Sequence, residues 1–289
     1  MTTSHLFINP LSGRHRRRSV SDLVSRLARA GLHPQVHSVT TPADVLGRCR
    51  AINQGPASPL VIVAAGDGTV NAVVNGLLPE TATLAVLPLG TSNVLAAELG
   101  IASVEEGIAR IVAGRTRPFP VGLLHLEESS HRFVLMAGIG LDASVVRDVW
   151  PLGKRLLKQG AYAISALLST LTWDKSLIAV HAGGATRSCH SVIVCSASRY
   201  GGDFILAPEG CLFSPDLTAI CIDKHHRRTY LRLAFELLSG RARTSREIFR
   251  MPADGIEITG IKPVQLDGDF VGYTPARITM VPDFARIIV

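Results

Sequence analysis

The first 118 positions alternate between two spacings of apolar residues. Short β-branched runs predict buried strands at residues 5–9, 35–39, 60–63 and 84–87. Between these runs, apolar residues recur three and four positions apart, which is typical of one face of a helix. Strands that alternate with helices favour a doubly wound parallel sheet, and we therefore expect an α/β domain over residues 1–118.

From residue 119 onwards the pattern changes to successive short strands. Turn residues separate eight strand-like runs, and only residues 153–171 and 228–238 have helical spacing. This pattern predicts a second, mainly antiparallel, β-sandwich-like domain over residues 119–289. The strand-like runs are 121–126, 132–137, 177–181, 188–196, 217–223, 255–259, 264–266 and 277–281.

Three polar, glycine-containing loops follow predicted strands of the first domain. They cover residues 9–13, 65–71 and 90–93. Ligands of open α/β sheets bind outside the carboxyl ends of the strands, so three such loops at one sheet end predict a nucleotide or phosphate site. Thr40, which follows the strand at 35–39, is expected to be free to face the same ligand.

The loop at 65–71 combines a strand end, two glycines and the start of a helix. The first N–H groups of a helix attract anions, and Gly66 and Gly68 place no Cβ in the way. Thr69 adds a hydroxyl. Asp67 would repel a phosphate unless a cation lies between them or the carboxylate is hydrogen-bonded within the loop. The segment is either a phosphate cradle or an ordinary glycine-rich turn between strand and helix.

Composition narrows the class of partner without choosing one. Apolar residues make up 47% of the 289 positions and the net charge is +7, which favours anionic partners such as nucleotides, acidic lipid surfaces or nucleic acid. No run of about 18 apolar residues occurs, so no transmembrane helix is predicted. The basic run at 14–18 is either a solvated face or a group of side chains that hold a phosphate or a lipid head group.

Near the C-terminus, Asp267 and Asp269 lie on either side of Gly268. In an extended segment both carboxylates would lie on one face, where they can act as general base and as metal ligand or partner. The same four residues, beginning at Leu266, also suit a surface β-turn.

Four blocks in this order resemble the soluble diacylglycerol kinase catalytic family, which includes sphingosine, ceramide and bacterial lipid kinases. Residues 9–13 are similar to Asn-Pro-x-Ser-Gly, residues 65–71 to Gly-Gly-Asp-Gly-Thr-x-Asn, residues 88–93 to Pro-x-Gly-Thr-x-Asn, and residues 266–269 to a segment containing Asp-Gly-Glu. Residues 138–143 and 200–208 also resemble family segments.

The resemblance implies a lipid kinase that uses ATP and Mg²⁺, with Asp269 as general base and Asp267 assisting it. Asp67 and Asp216 are the expected metal ligands. It further implies that the last strand returns to the first domain. The expected nucleotide contacts come from all the loops named above: Asn9, Pro10, Ser12, Gly13, Thr40, Ala65, Gly66, Asp67, Gly68, Thr69, Val70, Asn71, Gly90, Thr91 and Asn93.

Three positions depart from the family pattern. Ala65 stands in place of a glycine, which is acceptable where φ is negative. Asp269 stands in place of glutamate, so the acid is one methylene shorter. Residues 213–216 lack the Asp-Asp-Gly of many relatives, which leaves Asp216 as the nearby carboxylate for a structural Mg²⁺.

The expected partner is a lipid substrate at an anionic membrane surface, with no nucleic acid, and a homodimer is left open. The expected location is the cytoplasm with peripheral association to the inner membrane surface. Basic segments at 154–158, 224–228 and 241–250 suit such a surface. Two other hypotheses stay open: a kinase with a soluble acceptor, like NAD kinases, and a non-catalytic protein that binds nucleotide or lipid.

Overall fold

The computed structural model describes residues 3–10, 20–55, 58–148, 174–202, 204–241 and 245–289. These residues form two compact units, unit 1 (Met1–Pro120 with Val281–Val289) and unit 2 (Val121–Met280). The sequence prediction had the boundary after residue 118. No helix in the described ranges is long and apolar enough to cross a membrane.

Unit 1 is built on a parallel sheet. Its strands are β1 (Ser4–Ile8), β2 (Gln35–Ser38), β3 (Leu60–Ala65) and β4 (Thr83–Pro88), in the order β2-β1-β3-β4. All of these pairs are parallel. The long last strand of the chain, β18 (Ala276–Ile288), completes this sheet, because its residues Arg286 and Ile287 pair in parallel with β4.

Helices cover both faces of the sheet in unit 1. They are α1 (Val20–Arg29), α2 (Pro42–Asn53), α3 (Asp67–Gly76), α4 (Val94–Glu98) and α5 (Val104–Ala113). Leu6, Ile62 and Leu87 point to the face that packs against α1 and α5. Alternate residues such as Phe7 and Val63 are buried on the opposite face. The prediction of a doubly wound sheet is therefore confirmed.

Side-chain caps fix where two of these helices begin. The hydroxyl of Ser103 accepts the N–H of Glu106 at 3.1 Å at the start of α5. At the start of α2, Thr41 and Asp44 form a reciprocal capping box. Gly114 ends α5 with a φ of 68°, a conformation that favours glycine. These local signals were readable in the sequence.

The described part of unit 2 contains two larger antiparallel sheets, a two-stranded hairpin and two helices, α6 (Leu141–Asp148) and α7 (Arg227–Leu238). The remaining strands of the chain are β5 (Thr116–His125), β6 (Ser130–Phe133), β7 (Met136–Ile139), β8 (Ile178–Ala182), β9 (Ala185–Cys189), β10 (Ser191–Cys195), β11 (Arg199–Tyr200), β12 (Phe204–Ile205), β13 (Leu217–Ile222), β14 (Phe249–Ala253), β15 (Gly255–Thr259), β16 (Pro263–Leu266) and β17 (Asp269–Tyr273). The first larger sheet has the order β14-β13-β10-β7-β16-β17, the second continues from β18 as β18-β15-β8-β9, and the hairpin pairs β11 with β12.

One apolar core joins the two sheets of unit 2. It contains Ile139 and Val192 from the first sheet and Val180 and Ile258 from the second. Two antiparallel sheets that share one core form a sandwich-like unit, as the sequence predicted. The predicted runs at 132–137 and 188–196 were each wrong as one strand, because the first divides into β6 and β7 and the second into β9 and β10. The predicted helix at 153–171 lies outside the described residues.

Two buried histidines lie side by side in the sheet of unit 1. His5 on β1 and His37 on β2 are each 8% exposed, and His5 Nδ1 lies 3.1 Å from His37 Nε2. Burial lowers the pKa of both rings below the ordinary 6.5, and the nearby His5 and Arg48 lower that of His37 further. Both imidazoles are therefore stabilised in the neutral form.

Candidate functional site

The loops after β3 and β4 meet backbone to backbone in unit 1. A Cβ on Gly90 would lie 2.3 Å from the Cα of Gly66 and 2.9 Å from its nitrogen. No side chain fits at such a distance, so glycine is needed at residue 90 for the loops to meet. The two motif segments predicted to share one sheet end are thus in direct contact.

Asp67 ties these two loops together. Its carboxylate accepts the backbone N–H of Val94 at 3.0 Å and that of Leu95 at 3.0 Å. These N–H groups open the short helix α4 and have no acceptor within it. Asp67 therefore needs no cation to explain its position beside the loop. Its role as a magnesium ligand stays a prediction.

Asn93 closes the loop after β4 on itself. Its side-chain oxygen accepts the N–H of Gly90 at 2.7 Å, and its side-chain nitrogen donates to the carbonyl of Gly90 at 3.1 Å. Asn93 has a φ of 49°, which an asparagine tolerates better than most residues. Thr91 is exposed at the loop tip. Asn93 thus shapes the loop, and Thr91 is the better placed of the two for a ligand.

The start of α3 is open in a way that suits an anion. Gly66 is its N-cap and provides no side-chain cap to the first N–H groups. A Cβ on Gly68 would meet nothing within 4 Å, and its φ lies outside the positive region. Neither packing nor backbone conformation therefore requires glycine at residue 68. Space above the first turn of a helix is the feature that a phosphate group uses.

Three further residues of this loop have structural surroundings that limit their roles. Ala65 ends β3 with its side chain buried, so the alanine that replaces the family glycine is accommodated without strain. Val70 is buried in the core side of α3. Asn71 is half-buried, and its side-chain oxygen accepts from Asn75 at 2.9 Å. Val70 can contribute only its backbone to a ligand.

Thr40 corrects one expectation. Thr40 was expected to be free to face a ligand, but its hydroxyl donates to the carboxylate of Asp44 at 3.1 Å, and the Thr40 N–H donates to the same oxygen. These bonds, with two from Thr41, lower the pKa of Asp44 to about 2. Thr40 thus belongs to the cap of α2, because the capping carboxylate lies within its reach.

The first motif, residues 9–13, lies only partly within the described residues. Asn9 is half-buried directly after β1, and Pro10 is exposed next to it. Ser12, Gly13 and the basic run at 14–18 lie outside the described residues. The nucleotide contacts predicted for these positions stay predictions.

Asp267 departs from the extended geometry expected for it. It has a φ of 48° and Gly268 has a φ of 93°, so the β16–β17 connection is a tight hairpin turn of type I′ character. The expectation of two carboxylates on one face of an extended segment is therefore wrong. The turn interpretation is confirmed, because positive φ at both central residues excludes an extended chain.

The Asp267 carboxylate binds three successive backbone N–H groups. It accepts from Val134 at 2.7 Å, Leu135 at 2.9 Å and Met136 at 3.0 Å. The Asp267 N–H returns a hydrogen bond to the Met136 carbonyl at 3.1 Å. The side chain thus fastens the turn to the segment between β6 and β7. Its surroundings favour a structural or positioning role over proton transfer.

Asp269 has different surroundings from Asp267. It begins the edge strand β17, pairs with Leu266 and is exposed. Further along the same strand, Phe270 and Tyr273 expose 38% and 48% of their surface and form an edge-to-face ring pair at 5.5 Å. The predicted base therefore lies on a strand whose neighbouring side chains are aromatic and accessible.

A polar network behind this turn was missed by sequence reasoning. The Asp142 carboxylate accepts the Tyr200 hydroxyl at 2.6 Å and the Gln265 amide at 2.7 Å, and the Gln265 oxygen accepts the Gly268 N–H at 2.7 Å. Burial raises the pKa of Asp142 and that of Tyr200. Gly138 must lack a side chain here, since a Cβ would lie 1.9 Å from Asp142 Oδ2.

The only sequence signal for this network was the family-like character of residues 138–143 and 200–208. Asp142 and Tyr200 are 58 positions apart, and Gln265 is in neither segment. Periodicity cannot reveal a contact of that kind. The network connects the hairpin β11–β12 to the turn that precedes Asp269.

Asp216 has no cluster of acidic neighbours in the described part of the chain. Its carboxylate accepts the hydroxyl of Ser214, and both residues lie on the loop before β13. The described ranges contain no group of three or more His, Cys, Asp or Glu side chains able to hold a metal ion. A metal at Asp216 therefore stays a prediction without further support.

Comparison with known proteins identifies both units of the chain. Residues 3–124 match the diacylglycerol kinase catalytic domain, and residues 136–289 match the YegS C-terminal NAD kinase beta sandwich-like domain. The chain belongs to the family with the YegS C-terminal NAD kinase beta sandwich-like domain, and its N-terminal part matches the diacylglycerol kinase catalytic domain. The resemblance seen in the motifs is confirmed, and membership supports a lipid kinase at a general level.

Relatives with curated names agree with this family. The chain is 26% identical over 288 residues to a protein of Bacillus subtilis (strain 168) named Diacylglycerol kinase, an alignment that covers 96% of this chain and 93% of the relative. It is 33% identical over 159 residues to a protein of Chromohalobacter salexigens named Probable lipid kinase YegS-like, covering 54% and 50% of the two chains.

Crystal structures from Bacillus anthracis str. Sterne share the fold. One of a diacylglycerol kinase matches with a TM-score of 0.73 at 18% identity, covering 99% of this chain and 96% of that chain. Another matches with a TM-score of 0.82 at 21% identity, covering 99% and 94%. At such identities the likeness supports the architecture and not the substrate.

Proposed function

We propose that this chain is an ATP-dependent kinase that transfers the γ-phosphoryl group to the hydroxyl of a lipid, such as a diacylglycerol or a sphingoid or ceramide-like lipid. The observation that carries the proposal is the joined pair of loops after β3 and β4, which leaves the start of α3 open above Gly68. The names of the relatives in this family supply the acceptor class.

The donor phosphates would bind at the two loops of unit 1. The N–H groups at the start of α3 attract anionic oxygens, and the open space at Gly68 allows close approach. Thr69 and Thr91 can donate hydroxyl hydrogen bonds to the same group. ATP would supply the phosphoryl group, and Mg²⁺ held by Asp67 would supply positive charge to balance that of the phosphates.

Asp67 is compatible with a metal ligand in addition to its loop contacts. Each of its two oxygens accepts one backbone N–H and retains a further lone pair. Mg²⁺ in kinases commonly takes one or two carboxylates together with phosphate oxygens and water. We therefore propose Asp67, in preference to Asp216, as the ligand of the metal that accompanies ATP.

Asp269 would act as the general base. Its carboxylate takes the proton of the lipid hydroxyl while the hydroxyl oxygen bonds to the γ-phosphorus, and the bond from that phosphorus to the bridging oxygen breaks to release ADP. The exposed rings of Phe270 and Tyr273 offer an apolar contact for the hydrocarbon part of the acceptor. Asp267 assists by fixing the turn.

The acceptor is expected to reside in a membrane. We therefore propose that the protein works in the cytoplasm and associates peripherally with the inner membrane surface, where its net charge of +7 favours acidic lipids. Nucleic acid is not part of this function. A homodimer is compatible with the proposal and is not needed for it.

The decisive experiment follows radiolabelled phosphate from ATP into a panel of lipid alcohols, with NAD and lipid-free controls. Asp269→Asn is expected to lower the rate of lipid phosphorylation by about 100-fold or more, because it removes the general base. The matched control is Asp254→Asn, which alters another exposed aspartate of unit 2 and should keep the wild-type rate.

Each alternative has its own outcome in this assay. Label in NAD instead of lipid would assign a soluble acceptor. Nucleotide binding without transfer to any acceptor would indicate a non-catalytic protein. A wild-type rate in Asp269→Asn would remove Asp269 from the mechanism.

A further inference from the structure

The outer stripe of α7 carries apolar side chains that the fold does not use. Tyr230, Ala234 and Leu237 form the buried stripe of this helix. On the opposite side, Leu231 and Phe235 lie four residues apart and expose 51% and 65% of their surface. A helix on the surface of a globular protein normally presents polar residues on that side.

The α7 outer stripe, defined as Arg228, Leu231, Arg232 and Phe235, alternates cations with apolar groups. Arg228 is exposed. Arg232 pairs with Glu236 at 3.0 Å and with Glu247 at 3.3 Å, and both of these carboxylates expose little of their side chains. The surface that solvent meets here is therefore cationic and apolar.

The charges at the start of α7 oppose the stability of the helix. Its first turn has no acidic residue, carries Arg227 and Arg228, and is preceded by His226 without a side-chain cap. Cations at this end of a helix are unfavourable, because the helix dipole is positive there. Arg228 is thus exposed at a position where the helix itself gains nothing from its charge.

We propose that the α7 outer stripe is a docking surface for an anionic lipid bilayer, with Phe235 and Leu231 inserted at the interface and the arginines on lipid phosphates. Helices with basic and apolar residues interleaved bind such interfaces. The proposal rests on the proposed function, since it names where the kinase meets the membrane that holds its acceptor.

Charge also argues against a second copy of this chain as the occupant. A two-fold contact would bring the same cationic stripe onto itself, and its arginines would repel. The cores of protein interfaces are depleted in charge, whereas this stripe alternates charged and apolar positions.

The nearby strand β12, which α7 contacts, adds the exposed apolar side chain of Ile205 to the proposed docking surface.

The test measures sedimentation of the full chain with vesicles of phosphatidylcholine, with and without phosphatidylglycerol, at low and high salt. The wild type should bind the anionic vesicles and release them at high salt. Phe235→Ser and Leu231→Ser should each lower the partition coefficient by about tenfold. Arg228→Glu should weaken binding at low salt more than at high salt.

The matched control is Val112→Ser. Val112 on α5 exposes 58% of its surface, so the substitution removes a comparable apolar group from unit 1. This variant should bind vesicles as the wild type does. Equal vesicle binding by the wild type and Phe235→Ser would overturn the proposal, as would wild-type binding that ignores phosphatidylglycerol.

Two further measurements distinguish a failure of the docking surface from a failure of the proposed kinase activity. Phe235→Ser should phosphorylate a short-chain diacylglycerol in solution at the wild-type rate and lose activity only on the vesicle-embedded lipid. Absence of activity on every lipid, with anionic vesicles still bound through Phe235, would reject the kinase and keep the docking surface. A wild-type dimer in sedimentation velocity that Phe235→Ser converts to monomer would assign the stripe to a second copy and overturn the proposal.

Discussion

Two Asp-Gly pairs, one in each unit, use the aspartate in the same way. Asp67 binds the N–H groups of Val94 and Leu95, and Asp267 binds those of Val134, Leu135 and Met136. Each carboxylate thereby fastens a second segment of chain to its own loop. An aspartate in such a motif suggests a catalytic role, yet the observed contacts of Asp67 and Asp267 stabilise the loops.

The glycines of the two pairs differ. Gly68 lies in the first turn of α3, whereas Gly268 has a φ of 93° in a hairpin turn. The first leaves space above a helix start, and the second allows the chain to reverse before Asp269. In both pairs the aspartate builds the loop, and the residues beside it carry the proposed chemistry.

The largest effect is expected from Asp267→Ala. It leaves three partly buried N–H groups without their acceptor and should lower the free energy of unfolding by about 3 kcal/mol. Urea denaturation measures the change. Asp269→Ala is the control on the same turn and should cost less than about 1 kcal/mol, because Asp269 is exposed. Equal losses of unfolding free energy in the two variants would contradict the structural role of Asp267.

A smaller loss is expected from Asp67→Ala. Two N–H groups at the start of α4 lose their acceptor, so the free energy of unfolding should fall by about 2 kcal/mol. Because the loops at Gly66 and Gly90 would also separate, ATP affinity measured by calorimetry should decrease. Asp67→Asn keeps one acceptor oxygen and is expected to lie between the two. Unchanged stability in Asp67→Ala would contradict the structural role.

The glycines provide a paired test. Alanine at either position meets no atom within 4 Å, but only Gly268 has a positive φ. Gly268→Ala should therefore lower stability by about 1 kcal/mol, and Gly68→Ala should leave it unchanged or raise it slightly. In calorimetric titration, Gly68→Ala alone should weaken ATP binding, by about tenfold if its methyl group displaces a phosphate contact.

If Gly68→Ala bound ATP as the wild type does, the open space at this helix start would not be the phosphate position. If Gly268→Ala lost no stability, the turn would tolerate a change of φ at that residue. Either result would contradict the proposed difference between Gly68, which leaves space for a ligand, and Gly268, which allows the turn.

The smallest effect concerns pH, and in unit 1 it comes from the two buried histidines. The pKa values of His5 and His37 are lowered in the folded protein, so the unfolded chain binds more protons as the pH falls below 6.5. The stabilisation is complete above that pH and is lost as the pH falls from 6.5 towards the folded pKa values. Melting temperature measured across this range should fall on acidification.

His37→Gln should reduce that pH dependence, because it removes one of the two buried imidazoles. Amide exchange should show that protection in β1 and β2 falls on acidification, and that His37→Gln reduces this fall. An equal fall in the wild type and in His37→Gln would contradict the prediction.

The elements of the fold were largely predictable from local pattern. Helix caps at Thr41 and Ser103 and the termination of α5 at Gly114 depend on residues within a few positions of each other. Strand runs in unit 1 are continuous and apolar, because parallel strands are buried on both faces. The split of β6 from β7 was missed, since the polar bonds at Val134 and Leu135 come from Asp267.

The site was predictable as a set of loops but not as a set of contacts. Motif order and position at strand ends pointed to residues 65–71 and 90–93, and the family resemblance gave them a role. Thr40 was wrongly taken as free, although its partner Asp44 is only four residues away and belongs to the cap of α2. The contacts of Asp142 with Tyr200 and Gln265 depend on tertiary folding and were not foreseen.

The last strand has a consequence for how the chain is made. β18 supplies the final parallel strand of unit 1, yet residues 281–289 are translated after every residue of unit 2. On the ribosome, β4 therefore remains an unpaired edge while unit 2 is synthesised, and an unpaired edge invites association with other chains. The sheet of unit 1 therefore cannot be completed until residues 281–289 have left the exit tunnel.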